Sequence, residues 1–200
     1  MDGVENEGKV HERVGVGSLE HPDRVMTIVR PCIVFGPNVD NYLVRLWTKA
    51  PFQVDAGNLE NHIQFVHEDD VVEAIIGLLQ GRHADAYNVA GDGLMTLREC
   101  AQLAGNPIRR MPLRMYRLLA RLFWGLRVGE VPPGQIEFAI HRWIVSADKL
   151  KATGWKPRYP SRATFELTMR AHGKLPPEGP APPTITGAGE HDPVATLAAE

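Results

Sequence analysis

Apolar and polar positions change rhythm several times along this chain, and each change marks an element. From Arg24 to Pro37 the sequence reads RVMTIVRPCIVFGP, a β-branched and nearly unbroken apolar run closed by Gly36-Pro37. That pattern predicts one buried strand, apolar on both faces as parallel sheets prefer. NYLVRLWTKA then predicts a short helix, with Asn38 or Asp40 as its cap and Pro51 beyond its end. HIQFVH alternates and predicts a strand ending near His67. DDVVEAIIGLLQG predicts a helix with Val71, Ile75, Leu78 and Leu79 on one face and Gly81 as its stop. AYNVAG predicts a further short strand.

Thr96 and Glu99 have the T-x-x-E spacing of a capping box, and Gly105 closes the helix they open. PIRRMP predicts a short strand, LRMYRLLARLFWGLR a helix, and PGQIEFAIHRW a helix with a weaker pattern. IVSADKLKATGW gives a strand end, Ser146 as N-cap, a short helix and Gly154 at its close. SRATFELTMRAHGK is the last helix, capped by Ser161. Both ends of the chain differ from this. Residues 1–24 are polar, and Gly3, Gly8, Gly15 and Gly17 make a poor helix, so this segment is expected to be poorly ordered. Residues 175–200 are rich in Pro, Gly and Ala and cannot bury enough surface to offset their ordering entropy, which predicts a disordered tail. Residues 25–174 remain as the folded unit. Strands alternating with helices place it in the α/β class. The strands are few and scattered, and the last hundred residues are mostly helical. That predicts the edge of a sheet plus a helical lobe rather than a complete doubly wound domain.

A length of 200 residues with 44% hydrophobic content suits one globular domain with a real core. The formal net charge of −2 provides no bulk attraction to nucleic acid, so no nucleic-acid partner is expected. Cys32 and Cys100 sit in apolar segments without a framework of paired spacings, and read as reduced core thiols of an intracellular protein. No apolar run nears the ~20 residues of a membrane span. The acidic, Gly-rich N-terminus lacks the apolar region of a secretory signal. The expected location is the cytoplasm.

Candidate chemistry concentrates in two stretches. His67-Glu68-Asp69-Asp70 reads first as the acidic start of a helix. Asp69 is placed as N-cap, and Asp70 and Glu73 favour the positive end of the helix dipole. No second cluster carries metal-ligand spacing, so no metal site is expected. His67 stands at a strand C-terminus, where open α/β sheets place ligands. The second stretch, Arg109 to Arg127, reads RRMPLRMYRLLARLFWGLR and holds six arginines and no acid. Arg110, Arg114, Arg117 and Arg121 share one helix face, while Met115, Leu118, Leu119 and Leu122 lie mostly on the other. Three readings stay open: a solvated face over a core, contact with an anionic membrane surface, and receipt of an acidic ligand.

Four motifs in order carry a resemblance. TIVRPCIVFGP, then FVHEDDVVEAI some thirty residues later, then YNVAGDGLMTLRE, then SADKLKATGWKPRYP resemble extended short-chain dehydrogenases. More narrowly, they are similar to the NAD-dependent epimerase/dehydratase family. The likeness runs from about Val25 to about Gly173 and corresponds to the C-terminal half of a family member. It implies an α/β fold of a definite kind: the C-terminal part of a Rossmann-type domain (edge strands) with a mostly helical substrate lobe. It implies NAD or NADP as the cofactor of complete relatives. Pro31, Cys32 and Ile33 match the positions that line the nicotinamide side of the cofactor in that family. Plain strand termination by Pro31 is the other reading of the same residues. Gln64 and His67 are the candidates for substrate contact, and Trp155 and Pro157 look like packing anchors of the lobe.

The chain also departs from the family pattern. None of its 19 glycines forms G-x-x-G-x-x-G or G-x-G-x-x-G, the turn before the helix N-terminus that holds the dinucleotide pyrophosphate. The family's catalytic Tyr-x-x-x-Lys pair is missing too. Tyr42, Tyr87, Tyr116 and Tyr159 are followed four residues on by Leu46, Gly91, Ala120 and Ala163. No catalytic residue is therefore assigned. Nucleotide-sugar members carry Arg-Asp before the F-(I/V)-H strand; here Ile63-Gln64 stands there and cannot grip phosphate. That favours an apolar alcohol or ketone over a nucleotide sugar.

Two functions of different class follow. In the first, the chain is the substrate-lobe portion of an NAD(P)-dependent epimerase, dehydratase or dehydrogenase whose complete relatives act on an alcohol, ketone or sugar-type small molecule. Cofactor binding and turnover by this chain alone are then not expected. In the second, it is a non-catalytic binding or scaffold module, docking to a partner or a membrane surface through the Arg109–Arg127 helix. In either case a strand that is apolar on both faces and short of neighbours is expected to promote self-association.

Overall fold

The computed structural model describes residues 24–127 and 141–176. The expected poorly ordered segment (Arg24 apart), most of the helix expected over PGQIEFAIHRW, and the tail from residue 177 lie outside the described residues.

The apolar run after Arg24 is extended but breaks once. Ile28–Pro31 forms β1 and Ile33–Phe35 forms β2. β1 lies parallel to β6, Ala86–Val89, and β2 lies parallel to β5, Phe65–His67. The single expected strand therefore changes partner at Cys32. Ile28 and Cys32 donate their N–H groups to Asp85 and Val89 at 2.9 Å each. Val29 and Pro31 alternate with them and direct their backbone to the opposite edge, where Pro31 offers no donor. The expected strand HIQFVH is likewise divided. His62–Ile63 forms β4, antiparallel to β7, Met95–Thr96, and Gln64 separates it from β5. β3, Gln53–Asp55, runs parallel to β8, Ile108–Arg110.

The helices begin where side chains can satisfy their first N–H groups. α1, Tyr42–Thr48, is capped by Asn41 and by neither Asn38 nor Asp40. Asn41 Oδ1 accepts the Val44 N–H at 2.9 Å while its Nδ2 donates to the Val34 carbonyl at 3.1 Å, so one amide joins helix to strand. Asp40 is occupied by Arg45 at 2.9 Å. α2, Glu68–Gln80, starts earlier than expected, and its cap is His67, not Asp69: His67 Nδ1 accepts the Asp69 N–H at 3.2 Å. Its inward face is Asp70, Ala74 and Leu78. Ile75 and Leu79, expected inside, are 39% and 70% exposed. The face is rotated because Asp70 has backbone donors to meet in the interior. α3, Leu97–Leu103, has the expected capping box, with Thr96 N–H to Glu99 Oε2 at 2.7 Å and Glu99 N–H to Thr96 Oγ1 at 3.1 Å. α4 spans Leu113–Gly125. α5, Asp148–Lys151, follows Ala147, and Ser146 Oγ one residue earlier accepts the Asp148 N–H at 3.1 Å. α6, Ser161–Ala171, has no side-chain cap; Ser161 is its first residue and turns its hydroxyl inward.

Alternation along β2 and β5 explains the layering. Ile33, Phe35 and Phe65 face one core with Val44 and Trp47 of α1, Cys100 and Ala101 of α3, and Phe165 and Met169 of α6. Val66 and Val34 face a second core with Ala74 and Leu78 of α2, Val89 and Leu150. Strands buried on both faces are why their sequence reads as continuous apolar runs. The first core centres on three phenylalanines. Phe35 and Phe65 ring centroids are 4.6 Å apart, Phe65 and Phe165 are 5.3 Å apart, and Trp47 meets Phe165 edge-on at 5.6 Å. Phe165 touches every other ring of the group. Truncating it removes those contacts and leaves a cavity, so Phe165→Ala is expected to lower stability by about 3–5 kcal/mol, measured by urea unfolding.

Candidate functional site

The loop after β6 meets the first residue of β5 beside the start of α6, and backbone contacts fix that junction. Gly91 donates its N–H to the Phe65 carbonyl at 3.0 Å. A Cβ on Gly91 would stand 2.5 Å from the Phe65 carbonyl oxygen and 2.9 Å from the Tyr159 carbonyl oxygen. Both are backbone atoms that cannot swing aside, so only glycine fits. Ser161 Oγ accepts the Phe65 N–H at 3.2 Å and lies 2.9 Å from the Gly93 carbonyl, its closest acceptor. Gln64, a candidate for substrate contact, is buried beside this junction. Its Nε2 donates to the Gly91 carbonyl at 2.9 Å, and its Oε1 accepts the Val145 N–H at 3.1 Å. Both polar ends of the side chain are thus engaged by backbone. Ile63, where nucleotide-sugar enzymes carry arginine, is a core residue.

The His67-Glu68-Asp69-Asp70 cluster distributes its side chains among different segments. His67 is buried, caps α2 through Nδ1, and stacks on Tyr159 with ring centroids 4.1 Å apart. Glu68 Oε1 accepts from the Asn38 N–H at 3.0 Å and from Asn38 Nδ2 at 3.1 Å, holding the turn that follows β2. Asp69 stays at the surface with Oδ2 3.5 Å from His67 Nδ1. Asp70 is fully buried and accepts the N–H groups of Arg158 at 3.0 Å and Tyr159 at 3.1 Å. Arg158 also pairs with Glu73, one turn further along α2. Burial raises the Asp70 carboxyl above its ordinary range, and the two backbone donors pull the other way. Among the described residues no group of three or more His, Cys, Asp or Glu is placed to hold a metal ion.

Pro31, Cys32 and Ile33 occupy the partner change itself. Pro31 is exposed at the end of β1, Cys32 is half-buried, and Ile33 is buried at the start of β2. Burial pushes the Cys32 thiol up to about 12, so it is neutral and serves as an apolar contact, not a nucleophile. Ile33 packs into the first core and Cys32 against the second. Among the described residues, the start of α2 is a poor seat for a dinucleotide pyrophosphate. The sequence has no glycine-rich turn, and the helix that follows β5 opens with Glu68, Asp69 and Asp70, whose charge repels phosphate. Tyr159 is stacked on His67, Tyr87 is buried, and burial raises Tyr42 and Tyr116 above the usual phenol range. None of the four has a lysine on the following turn.

The inward roles of Ser161 and Gly91 were not legible as such. A serine after proline at a helix start reads as a cap, and a glycine after a strand reads as a turn.

Comparison with known proteins places this geometry. No protein-family model matches the chain. An uncharacterised protein of Mycobacterium tuberculosis is 29% identical over 125 residues, which cover 54% of this chain and 14% of that protein. A second uncharacterised protein of that organism is 22% identical over 156 residues, 78% of this chain and 41% of the relative. Among solved structures, Thermus thermophilus UDP-glucose 4-epimerase in complex with NAD superposes with a TM-score of 0.55 at 20% identity. It is matched over 81% of this chain and 50% of the enzyme. Bacillus anthracis dTDP-glucose 4,6-dehydratase in complex with NAD gives 0.51 at 18% identity, over 76% of this chain and 45% of the enzyme. The chain spans less than half the length of the curated relatives it matches and about half of these enzymes. The likeness is one of fold: a mixed α/β, Rossmann-like arrangement whose structural neighbours include an epimerase and a dehydratase solved in complex with NAD.

Asp70 supplies the acceptor for the 158–159 backbone, so Asp70→Ala is expected to lower stability by about 2–4 kcal/mol in chemical denaturation at neutral pH. The pH dependence has a definite sign. A raised carboxyl keeps its proton in the folded state where the unfolded chain has lost it. The stability contributed by Asp70 is therefore greatest below the unfolded value of 3.8 and declines as pH rises through the folded value. The gap between the native protein and Asp70→Ala should accordingly narrow from acid toward neutral pH.

Proposed function

We propose that this chain is the C-terminal, substrate-lobe portion of an NAD(P)-dependent epimerase, dehydratase or dehydrogenase, and that it needs a complementing dinucleotide-binding half to act. The observation that carries this reading is the state of β1. It is a parallel strand with β6 on one edge and, among the described residues, no strand on the other. Parallel strands ordinarily lie inside sheets covered on both faces. Here Val25 and Met26 before β1 are 41% and 39% exposed, and α2 exposes Val72, Ile76 and Leu79 at 54%, 48% and 70%. An open strand edge together with an apolar helix stripe is the surface that a neighbouring half-domain would cover.

Within this reading Pro31, Cys32 and Ile33 form the wall on the nicotinamide side. Gln64 and His67 act on the substrate side through the backbone they fix. NAD or NADP is the cofactor of the completed assembly. The substrate is a small alcohol, ketone or sugar-type molecule. The sugar part of that range draws on the sugar-nucleotide enzymes the fold resembles, and the apolar part on Ile63-Gln64 in place of a charged pair. The domain limits expected from sequence belong to the same proposal: a lobe over residues 25–174.

Titration with NADH, followed by nicotinamide fluorescence, tests the reading. The expected result is no saturable binding by this chain alone. Stoichiometric tight binding, or turnover of an alcohol or ketone with added nicotinamide, would overturn it. The open β1 edge yields a separate expectation: the isolated chain self-associates as concentration rises. A concentration-independent monomer in sedimentation velocity, with a cooperative melt, counts against that edge being uncovered.

A further inference from the structure

Among the described helices α4 alone buries none of its residues. An ordinary surface helix turns its apolar stripe inward and its charged stripe outward. In α4 both stripes face out. Met115, Leu118 and Leu122 recur at i, i+3 and i+7 and are 46%, 65% and 53% exposed. Phe123 and Trp124 in the last turn and Leu126 just beyond it are also exposed. Arg114 and Arg121 are exposed alongside this stripe, and Arg109 and Arg110 of β8 are exposed at its N-terminal approach. The side toward the protein is made by Tyr116, Leu119 and Ala120, each half-buried. Arg109 to Arg127 contains six arginines and no acid, within a chain whose formal net charge is −2, so the positive field is local to this helix.

We propose that α4 is an interfacial helix that lays the chain on the surface of an anionic lipid bilayer. Met115, Leu118 and Leu122 enter the headgroup–acyl boundary, and Arg110, Arg114 and Arg121 meet lipid phosphates. The arrangement lies on the surface and does not span it: no described helix is long and apolar enough to cross a membrane. A planar partner is favoured over a protein groove because the cationic and apolar stripes run side by side along the axis. An acidic ligand site would gather the arginines around a pocket, and a protein groove would leave one stripe in water.

The test uses the full chain with vesicles of phosphatidylcholine alone and of phosphatidylcholine mixed with phosphatidylglycerol. The protein should sediment with the mixed vesicles only and be released as salt rises. Arg114→Gln combined with Arg121→Gln should lower partitioning about 30-fold, at roughly fivefold per charge. Leu118→Ser with Leu122→Ser should also abolish binding. Both pairs are exposed, so the melting profile should be unchanged, which separates lost binding from lost folding. Equal sedimentation with neutral and mixed vesicles, or full binding by both variants, would overturn the proposal. So would capture by soluble poly-glutamate without vesicle binding, which would assign the arginines to an acidic protein. A change of oligomeric state in the leucine variant, again without vesicle binding, would assign the stripe to a contact between copies.

Discussion

The peptide group of Phe65 is the constraint on which the described structure turns. Its carbonyl takes the Gly91 N–H, its own N–H goes to Ser161, and its ring sits among Phe35, Phe165 and Trp47. A buried peptide must find partners within the protein, because an unmatched N–H or C=O in an apolar interior costs about 1–3 kcal/mol. Satisfying this one brings the strand after Cys32, the loop after β6 and the start of α6 into one place. Gly91 is obligatory because the close approach leaves no room for a Cβ. Ser161 is inside because the ladder on that side of β5 gives way to a helix. The junction is small, polar at its centre and apolar around it, and its energy depends on every member being present.

Acidic residues after β5 extend the same logic outward. Of four consecutive side chains that could be mistaken for a reactive cluster, three hold neighbouring segments in place and Asp69 stays at the surface. His67 opens α2 and stacks on Tyr159, Glu68 grips the turn after β2, and Asp70 holds the backbone at Arg158 and Tyr159. The cluster is thus an organiser of the strand ends. It also makes the start of α2 hostile to phosphate, so in the proposed assembly the pyrophosphate must rest on the complementing half. Under the proposed reading this chain would bring the wall and the substrate side, and that half would join at the edge of β1 left without a strand among the described residues and at the exposed α2 stripe.

The interfacial role proposed for α4 is compatible with this division because it draws on a different surface. The open edge involves β1 and α2, while the arginine helix follows β8. One surface would complete an active site, and the other would decide where the assembly works. The proposed attraction would act through exposed Arg110, Arg114 and Arg121, and it would survive a slightly negative net charge because screening limits its reach to about 8–10 Å at ordinary salt.

The sequence by itself determined the class of fold and most of its elements. Period-two and unbroken apolar runs mark β1, β2, β4, β5 and β6 but neither β3 nor β7, because a buried parallel strand needs side chains that suit both faces while β3 and β7, three and two residues long, are too short to show a period. The Thr96–Glu99 box and Gly105 found the limits of α3, because a cap is a local hydrogen bond between residues a turn apart. Arg109–Arg127 announced an amphipathic helix through spacing alone. Partnership was decided only by the tertiary structure. Nothing local in RVMTIVRPCIVFGP tells the chain to leave β6 for β5 at Cys32. Nothing in the order of residues shows that Asn41 outcompetes Asn38 and Asp40, since the winner is the one that also reaches the Val34 carbonyl. Asp70 faces inward against its polarity because its acceptors are needed 88 and 89 residues away. Local patterns specify backbone conformation through neighbours in sequence. Buried polar groups are assigned by whichever distant donor or acceptor the packed chain places within about 3 Å, and that is settled only when the layers close.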